Sequence, residues 1–117
     1  MIENDAIEAF NNRLTVDPNS IKKMTPSQLD RVKAMGSQAE NLLKNKDFAY
    51  FIHTYKFECL DVLSEINTHS QDDNAARIAI SNQIAGIDGF IKSLKRAVYY
   101  KNRVVTSQNA SSEEPIA

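Results

Sequence analysis

Two segments of the chain share one spacing of apolar residues, and this spacing constrains the fold more than any other feature. Apolar positions recur at intervals of four and three residues, which keeps them on one side of an α-helix for about five turns. They are Phe48, Ile52, Tyr55, Cys59, Val62 and Ile66 in the first segment, and Ile80, Ile84, Ile87, Ile91, Leu94 and Val98 in the second. Because a short polar link joins the segments, the pattern predicts a long antiparallel helical hairpin.

The rest of the chain also favours helix. Only three glycines and three prolines occur among 117 residues, and no window alternates apolar with polar residues as a half-buried strand does. The length suffices for one domain with its own core, without disulfides or a structural metal. We therefore predict an all-α protein in which the hairpin lies within a three- to four-helix bundle.

The predicted organisation has three parts. Residues 1–24 form an acidic arm, with a short helix that ends before Pro18, and a turn. Residues 25–104 form the bundle core. Residues 105–117 are small, polar and aperiodic, so we expect a disordered tail that follows the last helix.

Several residues are suited to begin the predicted helices. Thr25 and Gln28 match a capping box at the start of the first bundle helix. Asp47 is placed to cap the next helix. Asp72 or Asp73 is placed at the start of the last helix, where a negative charge interacts favourably with the positive end of the helix dipole. The first bundle helix should bury one stripe of residues, namely Leu29, Val32, Gly36, Ala39 and Leu43, widened by Met35 and Leu42.

Charge and cysteine content restrict the compartment and the partners. A net charge of −1 gives no global attraction to nucleic acid or to an anionic membrane. The amino terminus lacks a basic start, and no run of eighteen apolar residues occurs, so we expect a soluble cytoplasmic protein without membrane contact. Cys59, the only cysteine, falls within the apolar spacing and is expected to be a buried thiol in a reducing compartment.

Signatures of catalysis are absent from the sequence. His53 and His69 fall on different elements, no cysteines or carboxylates have metal-binding spacing, and no glycine-rich phosphate loop occurs. We therefore expect a protein that is not an enzyme and that has no cofactor or metal.

The second bundle helix carries a further stripe on the side opposite the hairpin contact. Its members are Tyr50, His53, Phe57 and Leu60. One interpretation is that the first bundle helix and the amino-terminal arm cover this stripe, as in a small bundle. The other is that a protein partner or a second subunit covers it, which would make the chain a homo-oligomer. In the second case these four residues form the partner-binding site.

The string HTYK, which starts at His53, resembles part of the H-x-x-K-G pattern of histidine phosphotransfer domains. His53 and Lys56 match that pattern, whereas Phe57 stands where the family has glycine. The resemblance implies a phosphorylated His53 with a basic residue near the phosphate. A histidine at the edge of a packed face is the alternative.

The end of the last predicted helix is basic and aromatic. Its candidate anion-binding residues are Lys92, Lys95, Arg96, Tyr99, Tyr100, Lys101 and Arg103. Cations near the carboxyl end of a helix stabilise the helix dipole, which accounts for the patch without a ligand. The functional alternative is an acidic protein surface, or weak binding to a nucleic-acid backbone without sequence reading.

Residues 39–104 have a layout with a wider resemblance. The run AENLLKNKDF precedes a long amphipathic helix, an acidic polar link and a basic last helix. This layout is similar to that of small helical proteins encoded in the structural-gene modules of tailed bacteriophages. The resemblance implies no catalytic residues. It implies a virion-assembly accessory or adaptor acting by protein contacts in an infected cell, or an inhibitor of a host protein.

Overall fold

The computed structural model describes residues 2–113, and these residues form helices joined by short links. The helices are α1 (Ile2–Asn11), a 3₁₀ helix (Pro18–Lys23), α2 (Pro26–Lys44), α3 (Lys46–Ser64) and α4 (Gln71–Glu113). No strand occurs in this part of the chain. The predicted all-α class is therefore confirmed. None of these helices has the combination of length and apolar character that crossing a membrane requires.

The chain divides into two compact units. The first comprises the residues up to Ser37 together with those from Ala97 onward, and the second comprises Gln38–Arg96. Helices α2 and α4 each contribute residues to both units.

The core of the first unit is small and apolar. Ile21, Val32 and Val104 are buried, and Val104 has no exposed surface. Five partly buried side chains pack against them, namely Leu14, Val16, Met24, Leu29 and Tyr100. Leu14 lies beyond α1, which ends at Asn11. Apolar spacing predicted both the short arm helix, which is α1, and the stripe of α2 that includes Val32.

Polar side chains fix the helix starts in the first unit. Thr25 Oγ1 accepts from the Gln28 amide at 3.2 Å, and Gln28 Oε1 accepts from the Thr25 amide at 3.0 Å. This reciprocal pair confirms the predicted capping box. The predicted turn after Asp17 is the 3₁₀ helix, which Asp17 caps by accepting from the Asn19 amide at 3.0 Å.

Gly36 allows α2 and α4 to approach closely within the first unit. A Cβ atom at this position would lie 2.8 Å from the carbonyl oxygen of Ala97 and would overlap Cβ of Lys101. Real Cβ contacts are longer than this. Glycine is therefore required for the contact between the two backbones rather than for an unusual φ angle.

The predicted end of the last helix near Val104 is corrected by the structure. Helix α4 extends through Glu113, so residues 105–113 of the predicted tail are helical, and residues 114–117 lie outside the described part of the chain. Burial of Val104 anchors the helix at this point. Lys33 Nζ also donates to Gln108 Oε1 at 3.1 Å, and no glycine or proline occurs between Val104 and Pro115.

The second unit contains the predicted antiparallel hairpin, formed by α3 and residues 71–96 of α4. Residue numbers fall along α4 as they rise along α3, which defines the antiparallel direction. The contacts are Phe48 with Phe90 (ring centroids 6.1 Å apart), Lys56 Nζ with Asp88 Oδ1 (2.7 Å) and Cys59 Sγ with Gln83 Oε1 (3.8 Å). Cys59 and Ile80 are buried. Val62 belongs to the apolar spacing that predicted the hairpin contact, but half of its surface is exposed.

The start of α3 lies two residues earlier than predicted. Asn45, in an extended conformation, is the cap: its Oδ1 accepts from the Phe48 amide at 2.8 Å, and the helix begins at Lys46. The prediction of Asp47 as the cap is therefore wrong. Asp47 lies in the first turn, where its charge complements the helix dipole.

The polar link and the start of α4 hold each other by side-chain hydrogen bonds. Ser70 Oγ accepts from the Asp73 amide at 3.1 Å, and both Asp72 and Asp73 lie in the first turn of α4, as predicted. Arg77 donates to the Thr68 carbonyl oxygen at 2.6 Å. The link is therefore tied to the helix that follows it.

Candidate functional site

The candidate site is the stripe of Tyr50, His53, Phe57 and Leu60, which we call the α3 face. All four side chains are exposed, with exposed fractions of 65% for Tyr50, 61% for Phe57 and 49% for Leu60. They lie on successive turns of α3, on the side away from Cys59 and the contact with α4. About half or more of the surface of each of these three residues therefore remains in contact with solvent.

Within the second unit, the parts of α2 and α4 that belong to it leave the α3 face exposed. The arm leaves its own apolar side chains exposed as well, since Ile7 and Phe10 are both mostly in solvent. Phe10 instead receives the guanidinium group of Arg13 over its ring at 3.8 Å. On α2, Val32, Gly36 and Ala39 of the predicted inward stripe are buried.

Ring contacts order the aromatic side chains of this helix. The His53 and Phe57 rings are stacked, with centroids 6.5 Å apart and an interplanar angle of 28°. The Tyr50 and Phe51 rings meet edge to face at 5.4 Å. These contacts order the four rings as two pairs along the helix surface.

Phe51 is an exposed aromatic residue that the sequence analysis missed. Its exposed fraction is 67%, and its ring meets the Tyr50 ring at one edge of the α3 face. Phe51 belongs to neither apolar stripe of α3. Its position as a large aromatic residue outside both stripes is the sequence feature that could have identified it. The exposed apolar surface is therefore wider than the four predicted residues.

Lys56 forms an ion pair with Asp88, so its charge is already paired with a carboxylate. Its ammonium group donates to Asp88 at 2.7 Å, and this hydrogen bond lowers the pKa of Asp88, against a smaller opposing effect of desolvation. Charge attraction from Lys56 and Lys92 lowers that pKa further. His53 is exposed, as phosphotransfer requires, but the lysine of the H-x-x-K pattern is engaged in the hairpin contact.

Tyr55 and Cys59 lie one turn apart on the side of α3 that meets α4. Desolvation raises the pKa of the Tyr55 hydroxyl, and the neighbouring Cys59 and Glu58 raise it further. Tyr55 is therefore a neutral phenol near neutral pH. The Cys59 thiol is buried, as predicted, and its hydrogen-bond partner is the amide oxygen of Gln83.

The basic and aromatic residues at the end of the predicted last helix are divided between the two units. Lys92, Lys95 and Arg96 belong to the second unit, and Tyr99, Tyr100, Lys101 and Arg103 belong to the first. In the first unit Tyr100 packs against the core, and the stem of Lys101 lies over Gly36. Arg103 donates to the Tyr99 hydroxyl at 3.1 Å. These four residues therefore have structural roles that require no anionic ligand.

Within residues 2–113, no group of three or more histidine, cysteine, aspartate or glutamate side chains is placed to bind a metal ion. Comparisons of the chain with protein-family models, with curated proteins and with solved structures found no match.

Proposed function

We propose that this protein is a non-enzymatic assembly or adaptor protein that acts through the α3 face by contact with another protein chain. The observation that carries the proposal is the exposure of Tyr50, Phe57 and Leu60 on successive turns of one helix. Exposed apolar patches of this kind mark interaction surfaces, and aromatic side chains dominate the energetics of interfaces. These three residues are the proposed anchors.

Energetics support this assignment. Full burial of one large apolar side chain contributes about 1.5–3 kcal/mol. The three anchors expose about half or more of their surface, so a partner that covers them gains part of this free energy, which opposes the entropy that two chains lose on binding. The hairpin presents α3 already folded, because Asn45 caps its start and Lys56 pairs with Asp88. A preformed helix needs little ordering when its partner binds.

We propose a setting for this contact from the layout of residues 39–104. Its similarity to small helical proteins of tailed-bacteriophage structural modules supports a role in virion assembly, within the bacterial cytoplasm or in the virion itself. Inhibition of a host protein would use the same α3 face. Neither role requires a cofactor, a catalytic residue or a membrane.

Site-specific photocrosslinking tests the proposal directly. A photoreactive amino acid at Phe57 samples the α3 face, and the same amino acid at Asn82, an exposed polar position on α4, is the matched control. In the cells that express the protein, we expect protein adducts at position 57 and none at position 82. Equal labelling at both positions, or none at position 57, would reject the proposal.

Phosphotransfer through His53 is a second candidate, because the His53 side chain is exposed. A small-molecule phosphodonor such as acetyl phosphate provides the test, with phosphorus NMR as the readout. Since the chain has two histidines, His69→Gln is the matched control for His53→Gln. A phosphohistidine signal that is lost only in His53→Gln would support this candidate, and absence of the signal in the unmodified chain would reject it.

Weak nucleic-acid binding is less well supported, because Tyr100 and Lys101 are used in packing. It predicts an affinity for DNA or RNA that falls with salt and with neutralisation of Lys95, Arg96 and Lys101.

A further inference from the structure

We propose that the partner of the α3 face is a second copy of this chain, paired antiparallel through α3 about a twofold axis. This inference rests on the proposed function and names its partner. It is carried by two independent observations: the spacing of the exposed residues along α3, and the distribution of charge along the hairpin.

The spacing of the α3 face is the same in both directions along the helix. Tyr50, His53, Phe57 and Leu60 are separated by three, four and three residues. An antiparallel pair therefore aligns all four positions at once, with Tyr50 of one copy opposite Leu60 of the other and His53 opposite Phe57. A twofold axis requires such self-complementarity, because it repeats every contact: if Tyr50 of one copy meets Leu60 of the other, Leu60 of the first copy meets Tyr50 of the second.

Charges at the two ends of α3 favour the same register. Lys46 begins the helix one turn before Tyr50 and lies on the same side, whereas Asp61 and Glu65 lie at the other end. All three side chains are exposed. In the aligned pair, Lys46 of one copy lies opposite position 64 of the other, between Asp61 and Glu65. The twofold axis repeats this contact of opposite charges at the other end.

Charge is distributed unevenly along the whole hairpin of the second unit, with acidic residues near the link and basic residues at the open end. Near the link, the acidic residues are Glu58, Asp61, Glu65, Asp72 and Asp73, and the one arginine there, Arg77, is held by the link carbonyl of Thr68. At the open end, the basic residues are Lys46, Lys92, Lys95 and Arg96.

Acidic residues at the open end do not cancel this polarity. Asp88 pairs with Lys56, and Glu40 pairs with Lys44 at 2.8 Å, which leaves Asp47 as the other carboxylate of this end. A parallel pair would bring like charges together at both ends. The antiparallel pair brings opposite charges together, and such complementarity selects orientation and excludes the wrong arrangement.

A charge-exchange experiment tests the pairing. One variant is Asp61→Lys with Glu65→Lys, and the other is Lys46→Glu. Each change suits its helix end, because acidic residues stabilise the start of a helix and basic residues its end. Loss of association in either variant therefore does not reflect loss of the helix, and circular dichroism confirms that both variants are folded.

We expect the unmodified chain to reach twice its 13.2 kDa mass with rising concentration, as measured by light scattering after size exclusion at low salt. Each variant alone should dimerise at least about tenfold more weakly, because like charges then meet at both ends. An equimolar mixture of the two variants should recover the affinity of the unmodified chain, because each contact again joins opposite charges.

Two results would overturn the inference: an unmodified chain that stays monomeric at all concentrations, or a mixture that associates no better than its components. The crosslinking experiment at Phe57 separates this failure from failure of the proposed function. An adduct with a different protein would reject self-pairing and retain the α3 face as a binding site. Absence of any adduct would reject both proposals.

Discussion

Lys56 on α3 donates a hydrogen bond to Asp88 on α4 at 2.7 Å, and this ion pair lies between the aromatic contact of Phe48 with Phe90 and the contact of Cys59 with Gln83. It therefore fixes the register of the hairpin near its middle. It also engages the one lysine that the H-x-x-K pattern would place beside a phosphate on His53.

Stability should depend on pH through Asp88. Its pKa in the folded chain is lowered from 3.8 by the hydrogen bond from Lys56, so its contribution is present above the unfolded-state pKa and is lost as the pH falls through the folded-state pKa. Asp88→Asn should therefore reduce the free energy of unfolding near neutral pH and have no effect in strong acid. Urea unfolding across this range measures the difference, with Asp61→Asn as a control of equal charge change. A deficit that persists unchanged in strong acid would contradict the assignment.

Gly36 and Gly86 should respond in opposite directions to the same substitution. A Cβ at Gly36 would meet the Ala97 carbonyl oxygen and Lys101, so Gly36→Ala should destabilise the chain by about 1–3 kcal/mol through overpacking. A Cβ at Gly86 has no atom within 4 Å, so Gly86→Ala should stabilise α4 by about 0.5–1 kcal/mol. Thermal unfolding of both variants provides the test. Equal effects of the two substitutions would show that α2 and α4 do not meet closely at Gly36.

The extension of α4 past its predicted end should depend on Val104. This side chain is fully buried, so Val104→Ala should cost about 2 kcal/mol of unfolding free energy, from lost burial and the cavity that remains. Val62→Ala removes the same atoms from a half-exposed position and should cost about 0.5 kcal/mol or less. Chemical denaturation compares the two. Similar losses would mean that residues around 104 do not anchor the helix.

The cap of α3 can be assigned by a matched pair of substitutions. Asn45→Ala removes the acceptor for the Phe48 amide and should cost about 1 kcal/mol. Asp47→Ala removes only a favourable charge in the first turn and should cost about 0.3–0.5 kcal/mol. The free energies of unfolding of the two variants decide between them. A larger loss for Asp47→Ala would restore Asp47 as the cap.

Much of the fold could be predicted because burial imposes a period on the sequence. The apolar spacing of the two segments predicted the hairpin, and the capping box of Thr25 and Gln28 predicted the start of α2. Both signals are contained in short stretches of sequence. The end of α4 was not predictable in this way. Residues after Val104 have weak apolar character, and their helix depends on a core built by Ile21 and Val32 from distant parts of the chain.

The candidate site was only partly accessible to sequence analysis. The spacing showed that α3 has a second apolar stripe, but whether α2 and the arm cover it depends on tertiary packing, which the spacing does not contain. Choosing between Asn45 and Asp47 failed for a similar reason, because both residue types cap helices well and stand two positions apart. Phe51 was missed because it lies outside both stripes.

Disulfide crosslinking between copies tests the central claim, antiparallel self-pairing through α3, most directly. In a Cys59→Ala background, Lys46→Cys and Ser64→Cys place thiols at positions that lie opposite each other in the proposed pair. The two copies of either position alone would be about 27 Å apart, at 1.5 Å per residue. We predict rapid disulfide formation when the two variants are mixed and little in either variant alone. Crosslinks in each variant alone but not between them would show parallel pairing, and absence of crosslinks in every sample would contradict self-association through this face.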